Sequence, residues 1–481
     1  MLNIKVIYEG TERDLSVPFD SKRTLKDILE DAGMAVNAPC GGMGICGRCM
    51  VNVDGKEELS CTYVPEKDIT VTVSRRKNDV VKSAPELGEL PDVGVPLGLG
   101  LALDLGTTTV AAFLYDLQSG KCLGMTGAEN AQRRFGADVI SRIRYAENDR
   151  KMLQLTSLIR EQVFDLGMEL CAAASTKEKQ YGMQDIRYIS IAGNTVMQSL
   201  FAAITPKPIG EAPFTPISLF GEELVAEPTM YYCPCISGYV GGDITAGILS
   251  TGIYQANETV LLMDLGTNCE FALGDRNGFF CVSAPAGPSF GRGAGSDQLH
   301  GSEFISLAAR FLSEGVIDET GRFYGDKYRE KYGDELKKRA LKKADFDAES
   351  YMKQLASDIR SLQLAKAAVG GALGTIFRES GISAGDVNRV YVAGGFGSFL
   401  DPESAFTLGL FPEAFRGKVV MTGNSAGEGA CLALRQENRE ILKKIAGICT
   451  YRELSGSKVF DEEYIEAMCF GQPNVSGGRF F

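Results

Sequence analysis

Apolar and polar residues alternate from the start of the chain. Ile4, Val6 and Tyr8 share one face of a predicted strand, and DLSVPFD (14–20) returns as its hairpin partner. The segment from Thr24 to Asp31 reads as a short helix, capped by Ser21 or Thr24 and stopped at Gly33. ITVTVS (69–74) alternates again as a closing strand. The next stretch, RRKNDVVKSAPELGELPDVGVPL (75–97), has no stable period and carries three prolines and two glycines, which predicts a linker on which the first unit moves. Two long helical patterns follow. From Met152 to Ala174, residues Leu155, Leu158, Ile159, Val163, Leu166 and Leu170 share a face. From Met352 to Ser380, Leu355, Ile359, Leu362, Val369, Leu373, Ile376 and Phe377 do the same before a stop at Gly381.

The pattern also repeats itself. LALDLGTTTVAAFLYD (101–116) and LLMDLGTNCEFALGD (261–275) are each an apolar strand, an Asp-Leu-Gly-Thr turn and a second strand, 160 residues apart. Duplicated hairpins with helices between them predict a two-lobed α/β protein with a cleft between the lobes.

The repeated turn carries chemistry. Glycine in a tight turn lets backbone N–H groups approach phosphate oxygens, and neighbouring hydroxyls and amides add donors. Gly106, Thr107 and Thr108 in one copy, and Gly266, Thr267 and Asn268 in the other, are therefore the candidate phosphate contacts. Asp104 and Asp264, each at a strand end, are placed to hold a hydrated Mg²⁺ or to orient an attacking water. One such turn is equally well a plain hairpin with a capping Asp; two copies point to a nucleotide cleft. VYVAGGFGSFLD (390–401) adds a strand running into Gly394, Gly395 and Gly397, where bare backbone can lie against an adenosine. Asp243 in GYVGGDITAGI reads as the N-cap of a helix, or else as a further ligand of Mg²⁺ or water. SAPAGPSFGRGAG (283–295) either closes over phosphate or connects strands, and TGNSAGEGA (422–430) starts a helix with Asn424 or Ser425 as cap. A dinucleotide fingerprint fails, because no GxGxxG follows an early strand.

Four cysteines, Cys40, Cys46, Cys49 and Cys61, are spaced C-x5-C-x2-C-x11-C among four glycines. Four thiolates in a glycine-rich loop suit a [2Fe–2S] cluster, with backbone N–H groups facing its sulfurs. Structural zinc also accepts four thiolates but normally pairs two C-x2-C knuckles, and only Cys46/Cys49 has that form. Strands, one helix and a cysteine loop in this order resemble the β-grasp ferredoxins, with a first spacing one residue longer than in the plant type.

Composition narrows the function. With 481 residues, 44% apolar and 23% charged, the chain has material for two to four globular domains. A net charge of −12 without a basic tract argues against nucleic acid and anionic membranes as partners, and no apolar run approaches the ~18 residues of a membrane span. The N-terminus has no signal-peptide pattern, and the nine other cysteines are scattered, Cys233 and Cys235 reading as structural thiols. A reducing cytoplasm fits them. The sole histidine, His300, excludes any mechanism built on a histidine pair or triad.

The ordered trio of two phosphate turns and a Gly-Gly turn resembles the acetate kinase/sugar kinase/Hsp70/actin superfamily over most of 98–449. A ferredoxin in front of such a module resembles the ATP-dependent reductive activators of corrinoid proteins. NAQRRFGADVISRI (130–143), AGNTVMQSL (192–200), DIRSLQLAKAAV (358–369) and TGNSAGEGACLA (422–433) extend that likeness along nearly the whole chain. The resemblance implies an α/β multidomain fold, with an N-terminal β-grasp [2Fe–2S] ferredoxin domain (1–74) and a linker (75–97). A two-lobed actin/Hsp70-like, RNase H-like duplicated ATPase (98–257 and 258–449) follows, and 450–481 packs back on it. It implies a [2Fe–2S] cluster, ATP and Mg²⁺, a corrinoid protein client, a low-potential electron donor and room for a homodimer. The implied reaction passes one electron to a stranded Co(II) corrinoid and restores Co(I). Such a step is uphill by about 100–200 mV, or roughly 2–5 kcal/mol for one electron, which nucleotide can offset. There are two departures. Longer members carry an extra domain after the ferredoxin, and Gly291 and Arg292 stand where the family has an acidic residue. Two alternatives remain open: an electron activase for another low-potential metalloenzyme, and a nucleotide-gated redox-sensing module. A small-molecule kinase would leave the ferredoxin without a task.

Overall fold

A computed structural model describes residues 1–8, 11–20, 23–32, 34, 49–73, 84–88, 97–287, 301–342, 346–397 and 400–471. The chain divides into two compact units, Met1–Lys77 with Arg292–Gln363, and Asn78–Gly291 with Leu364–Phe481. The lobe read from the sequence as 258–449 is thus interrupted by a segment that belongs to the first unit.

In the first unit, β1 (Leu2–Tyr8), β2 (Thr11–Val17), β3 (Met50–Val53), β4 (Lys56–Leu59) and β5 (Ile69–Val73) form one sheet in the order β2-β1-β5-β3-β4. The first and last strands run parallel at its centre, with Ile4 opposite Ile69. Helix α1 (Leu25–Asp31) buries Leu25, Ile28 and Leu29, one helical face, against Ile4, Val6, Val51 and Val71. Its cap is Thr24: the Thr24 hydroxyl accepts from the Asp27 N–H at 3.3 Å and the Asp27 carboxylate accepts from the Thr24 N–H at 3.1 Å. Ser21, the alternative cap, lies outside the described residues. This is the β-grasp arrangement that the strand–helix–loop order implied.

The second unit contains two six-stranded sheets of matching design. One holds β6 (Leu99–Leu105), β7 (Thr109–Asp116), β8 (Cys122–Glu129), β9 (Ile186–Gly193), β10 (Glu223–Leu224) and β11 (Thr229–Tyr232), ordered β10-β11-β9-β6-β7-β8. The other holds β12 (Val260–Leu265), β13 (Cys269–Asp275), β14 (Gly278–Ala284), β15 (Arg389–Ala393), β16 (Val419–Gly423) and β17 (Cys449–Tyr451), ordered β16-β15-β12-β13-β14-β17. Each is an antiparallel meander, β6-β7-β8 or β12-β13-β14, whose first strand pairs on its other side with a parallel strand, β9 or β15. The repeat seen in the sequence is a structural duplication.

Helices fill the space around the sheets. On the first sheet lie α3 (Asp149–Ala174) and α4 (Thr195–Phe201), and α2 (Val139–Tyr145) packs against these two helices. Helix α3 starts three residues before the predicted Met152, because Asn148 caps it by accepting from the Lys151 N–H at 3.1 Å. Helix α5 (Gly242–Thr251) is buried in the core shared by both sheets. The first unit's later segment contributes α6 (Gly301–Ser313) and α7 (Gly325–Lys342). Helix α8 (Ala348–Ser380) ends at Gly381, which has φ +71°. The single turn α9 (Gly394–Gly397) and α10 (Pro402–Leu408) lead to α11 (Ser425–Leu432), α12 (Gln436–Ile448) and α13 (Lys458–Glu466). One apolar core joins Phe113 and Tyr115 of the first sheet to Leu262 and Ala272 of the second, through α5 and α11. These two helices touch backbone to backbone: a Cβ on Gly429 would collide with the Ala246 carbonyl. Helix α13 returns to α8, where Arg378 meets Glu463 at 2.9 Å and the Lys366 ammonium donates to the Ala467 carbonyl at 2.9 Å.

The predicted linker is not free along its whole length. Residues 84–88 are fixed to the second unit: the Tyr115 hydroxyl donates to the Pro85 carbonyl at 2.7 Å, the Leu87 N–H donates to the Gly120 carbonyl at 3.1 Å, and Arg435 donates to the Leu87 and Gly88 carbonyls. Ala84 and Leu87 also pack on the shared core. Of the predicted linker 75–97, the described residues 84–88 thus pack as part of the second unit, and 75–83 and 89–96 lie outside the described residues. Among the described residues, Arg435 provides the charge-assisted bonds of this latch. Arg435→Met should speed amide hydrogen exchange at Leu87 by about tenfold or more, the loss of one such bond. Unchanged exchange would mean that the apolar contacts alone hold the strap.

Candidate nucleotide cleft and cluster loop

The first phosphate turn is gripped from behind. The Gly106 carbonyl accepts from Asn130 Nδ2 at 2.8 Å, the Thr107 carbonyl accepts from Arg142, and the Thr108 carbonyl accepts from the Asn130 N–H at 2.8 Å. Asn194, the N-cap of α4, donates through Nδ2 to the Thr107 hydroxyl at 3.0 Å. None of these three side chains was singled out from its chemistry in the sequence, although all lie in NAQRRFGADVISRI or AGNTVMQSL. A buried arginine breaks the apolar periodicity that identifies a core face, so the pattern gave no signal for it.

The second turn faces the first. The Thr267 and Thr108 hydroxyls are 3.1 Å apart, so the tips of the two duplicated hairpins touch. Within the second turn the Gly266 N–H donates to the Asn268 carbonyl at 3.0 Å. Beside it, β15 runs parallel to β12 with Ala393 opposite Asp264 and turns at Gly394. Gly394 has φ +92°, and a Cβ there would collide with the Asp264 carboxylate, so both the backbone and the space require glycine. Gly395 is exposed, with nothing within 4 Å of where a Cβ would stand, and Gly397 ends the same turn.

Carboxylates line this meeting point. Asp104 and Asp264 end their strands, and each is partly buried. Asp243 is not the N-cap of α5. Gly241 holds that position, because a Cβ there would meet the backbone of Asn194 and Thr195. Asp243 sits in the first turn instead, accepting from the Ile244 N–H at 2.9 Å. A fourth carboxylate, Glu270, was not anticipated. It is 6% exposed on β13, directly opposite Asp264 in the ladder, where the first lobe has Ala111 opposite Asp104. Burial pushes Asp104 up to about 7, with repulsion from Asp243 adding and Asn424 offsetting. Burial likewise lifts Asp264 to about 8, helped by Asp243 and Asp104. Asp243 rises to about 6 through burial, against the backbone N–H groups at its helix start. Glu270 is raised well above the usual carboxylate range by burial and by Asp243 and Asp264. Asn424 caps α11, accepting from the Gly427 N–H at 2.8 Å, and its buried Nδ2, beside Asp104, makes no well-formed hydrogen bond among the described residues.

This arrangement suits a cation brought in by an anion. Among the described residues no group of three or more His, Cys, Asp or Glu side chains could hold a metal alone. Mg²⁺ usually takes one or two carboxylates and completes its shell with water and phosphate, which these crowded carboxylates would provide. The loop 283–295 is described only to Gly287.

In the first unit, Cys49 and Cys61 are 0% and 1% exposed and form one small cluster with Leu59. The fold brings them together through the β3–β4 hairpin, where the Ser60 N–H donates to the Cys49 carbonyl at 2.9 Å. Neither forms a disulfide. Two buried thiols on adjacent chain segments fit half of a four-thiolate site. Cys40 and Cys46 lie outside the described residues. Cys233 and Cys235 are buried, and burial pushes the Cys235 thiol up to about 12, as befits structural thiols.

Comparison with known proteins matches three segments of the chain. Residues 9–70 match the 2Fe-2S iron-sulfur cluster binding domain, 99–256 the RACo middle region, and 293–477 the C-terminal domain of RACo, the ASKHA domain. The chain is 27% identical to the corrinoid activation enzyme RamQ of Eubacterium limosum, covering 97% of this chain and 99% of that one. That alignment runs over 599 residues against a chain of 481, so the relative carries residues that this chain lacks. The [Co(II) methylated amine-specific corrinoid protein] reductase of Methanosarcina barkeri is 22% identical over 76% of each chain. Among solved structures, a reductive activator for corrinoid,iron-sulfur protein superposes with a TM-score of 0.68 at 25% identity, covering 98% of both chains. In this one polypeptide an iron–sulfur cluster binding domain, a RACo middle region and a RACo C-terminal ASKHA domain thus follow one another.

Proposed function

We infer that this protein is an ATP-dependent reductive activator that returns one electron to an inactive Co(II) corrinoid protein and so restores Co(I). The observation that carries the reading is the pairing, in one chain, of a thiol-bearing β-grasp unit with two phosphate turns whose threonine hydroxyls meet at 3.1 Å. A [2Fe–2S] cluster on Cys40, Cys46, Cys49 and Cys61 supplies single electrons when bound. Gly106, Thr107, Thr108, Gly266, Thr267 and Asn268 take the phosphates from two sides. Gly394, Gly395 and Gly397 leave room for adenosine. Asp104 and Asp264 act on Mg²⁺ and on the attacking water.

Closure follows from charge. Without a nucleotide the facing carboxylates repel one another, and a Mg-polyphosphate between the turns exchanges that repulsion for attraction. Helices α5 and α11 both begin at the cleft and pack on each other, so closure of the lobes reaches the core between the sheets. A nucleotide shifts the partner's equilibrium only as far as it favours one lobe arrangement over the other. Among the described residues no helix is long and apolar enough to cross a membrane. We place the protein in the cytoplasm, served by a low-potential donor, with the corrinoid protein as docking partner and a homodimer as its assembly.

Anaerobic mixing of the reduced protein with candidate Co(II) corrinoid proteins and Mg-ATP tests the reading. Co(I) absorbance should appear with the cognate client. Absence of Co(I) with every corrinoid protein of the same cell, alongside reduction of another metalloenzyme, would transfer the activity to that client.

A further inference from the structure

Arg142 is 0% exposed, the largest fully buried side chain in the described residues. Its guanidinium is spent on neutral acceptors: the Thr107 carbonyl, the Gly136 carbonyl at 3.1 Å, Gln132 Oε1 at 3.2 Å and the Met197 sulfur at 2.9 Å. No ion pair to it forms among the described residues; Arg133 repels its charge and Asp138 favours it without pairing with it. Burying a cation against neutral groups is costly, so one without an ion pair directly behind a glycine turn favours an anion in front of that turn.

The geometry of the turn says where that anion goes. In a trans peptide the C=O and the N–H point in opposite directions. Asn130 Nδ2 holds the Gly106 carbonyl, so the Thr107 N–H points away from Asn130. Arg142 holds the Thr107 carbonyl, so the Thr108 N–H points away from Arg142. Neither amide donates a backbone hydrogen bond among the described residues. Two successive N–H groups aimed the same way make an anion-binding nest. Among the described residues the second turn shows no comparable grip: its Gly266 carbonyl is approached by the Cys269 thiol, at 3.8 Å.

We propose that Arg142 and Asn130 are positioning residues that aim the Thr107 and Thr108 amides at a nucleotide phosphate, with the Arg142 charge held behind the peptide as fixed counter-charge. The first turn is thereby the preorganised half of the clamp, and the second turn adapts to it. The proposal rests on reading the cleft as a nucleotide site, and its test is a binding measurement that needs neither cluster nor corrinoid.

Affinities for Mg-ATP and for adenosine are measured on the full-length protein, as wild type, Arg142→Met and Asn130→Asp. Arg142→Met should weaken Mg-ATP by about tenfold or more while adenosine changes by less than about twofold, because only the phosphates meet the nest. Asn130→Asp keeps the oxygen that accepts from the Gln132 N–H at 2.9 Å but loses the grip on Gly106, and should shift the ratio the same way. If Arg142→Met does not fold, Asn130→Asp carries the test alone. Equal loss of both ligands would make these residues merely structural and overturn the proposal, as would unchanged Mg-ATP affinity in a folded variant. A wild type that binds adenosine but not Mg-ATP would instead remove the cleft reading beneath it.

Discussion

Asp264→Asn should lower ATP hydrolysis by about 100-fold or more and, in the nucleotide-free protein, raise the thermal midpoint. The two effects have one cause. Asp264 faces Asp243 and Asp104 at close quarters, and burial with their repulsion holds its carboxyl up to about 8. An ionised carboxylate there is an advantage only when Mg-nucleotide arrives, where it acts on metal or water in the transition state. Until then it is a cost. Because its folded pKa lies above the unfolded value of about 3.9, stability falls as pH rises through the folded pKa. Asn has no proton to lose, so the gain in midpoint over wild type should grow between about pH 5 and 8. Asp104, at about 7, and Asp243, at about 6, contribute declines of the same sign. Calorimetry across that pH range, beside phosphate-release kinetics, measures both. A variant with wild-type hydrolysis would move the active site elsewhere.

The second large effect concerns the cluster loop. Cys49→Ser should remove nearly all bound iron from a protein that otherwise carries about two atoms per chain, and with it all electron delivery. ATP hydrolysis should stay within about twofold of wild type, because the thiols and the cleft fall in different compact units. Cys61→Ser should behave alike, since the two side chains are buried together. Iron analysis and the electron paramagnetic resonance of the reduced protein read this directly. Stoichiometric zinc in the wild type would end the electron-transfer reading.

What was legible in the chain divides along physical lines. Both Asp-Leu-Gly-Thr hairpins could be located because each combines a buried apolar strand with the same short turn, a local signal strengthened by its repetition. Helices α3 and α8 announced themselves by periodicity, with starts displaced by a few residues where caps lay upstream. Local patterning could not reveal the groups whose role depends on distant partners. The strap at 84–88 is Pro- and Gly-rich like a linker, and its latch, Arg435, lies some 350 residues away. Arg142 occupies a polar stretch that reads as solvated surface until its acceptors at Thr107 and Met197 are in place. Asp243 has the composition of a cap, but the close backbone of Asn194 admits only glycine at the capping position. Glu270 becomes notable only from its register opposite Asp264.

The central claim is that nucleotide moves the electron-transfer equilibrium rather than charging the cluster. The most direct measurement starts with the cluster already reduced and excess donor removed. The protein is then mixed with its Co(II) corrinoid client with and without Mg-ATP, and the final Co(I) absorbance is compared. The account predicts that Mg-ATP raises the Co(I):Co(II) ratio by about tenfold or more, a shift of at least about 59 mV. An equal final ratio with and without Mg-ATP would contradict it.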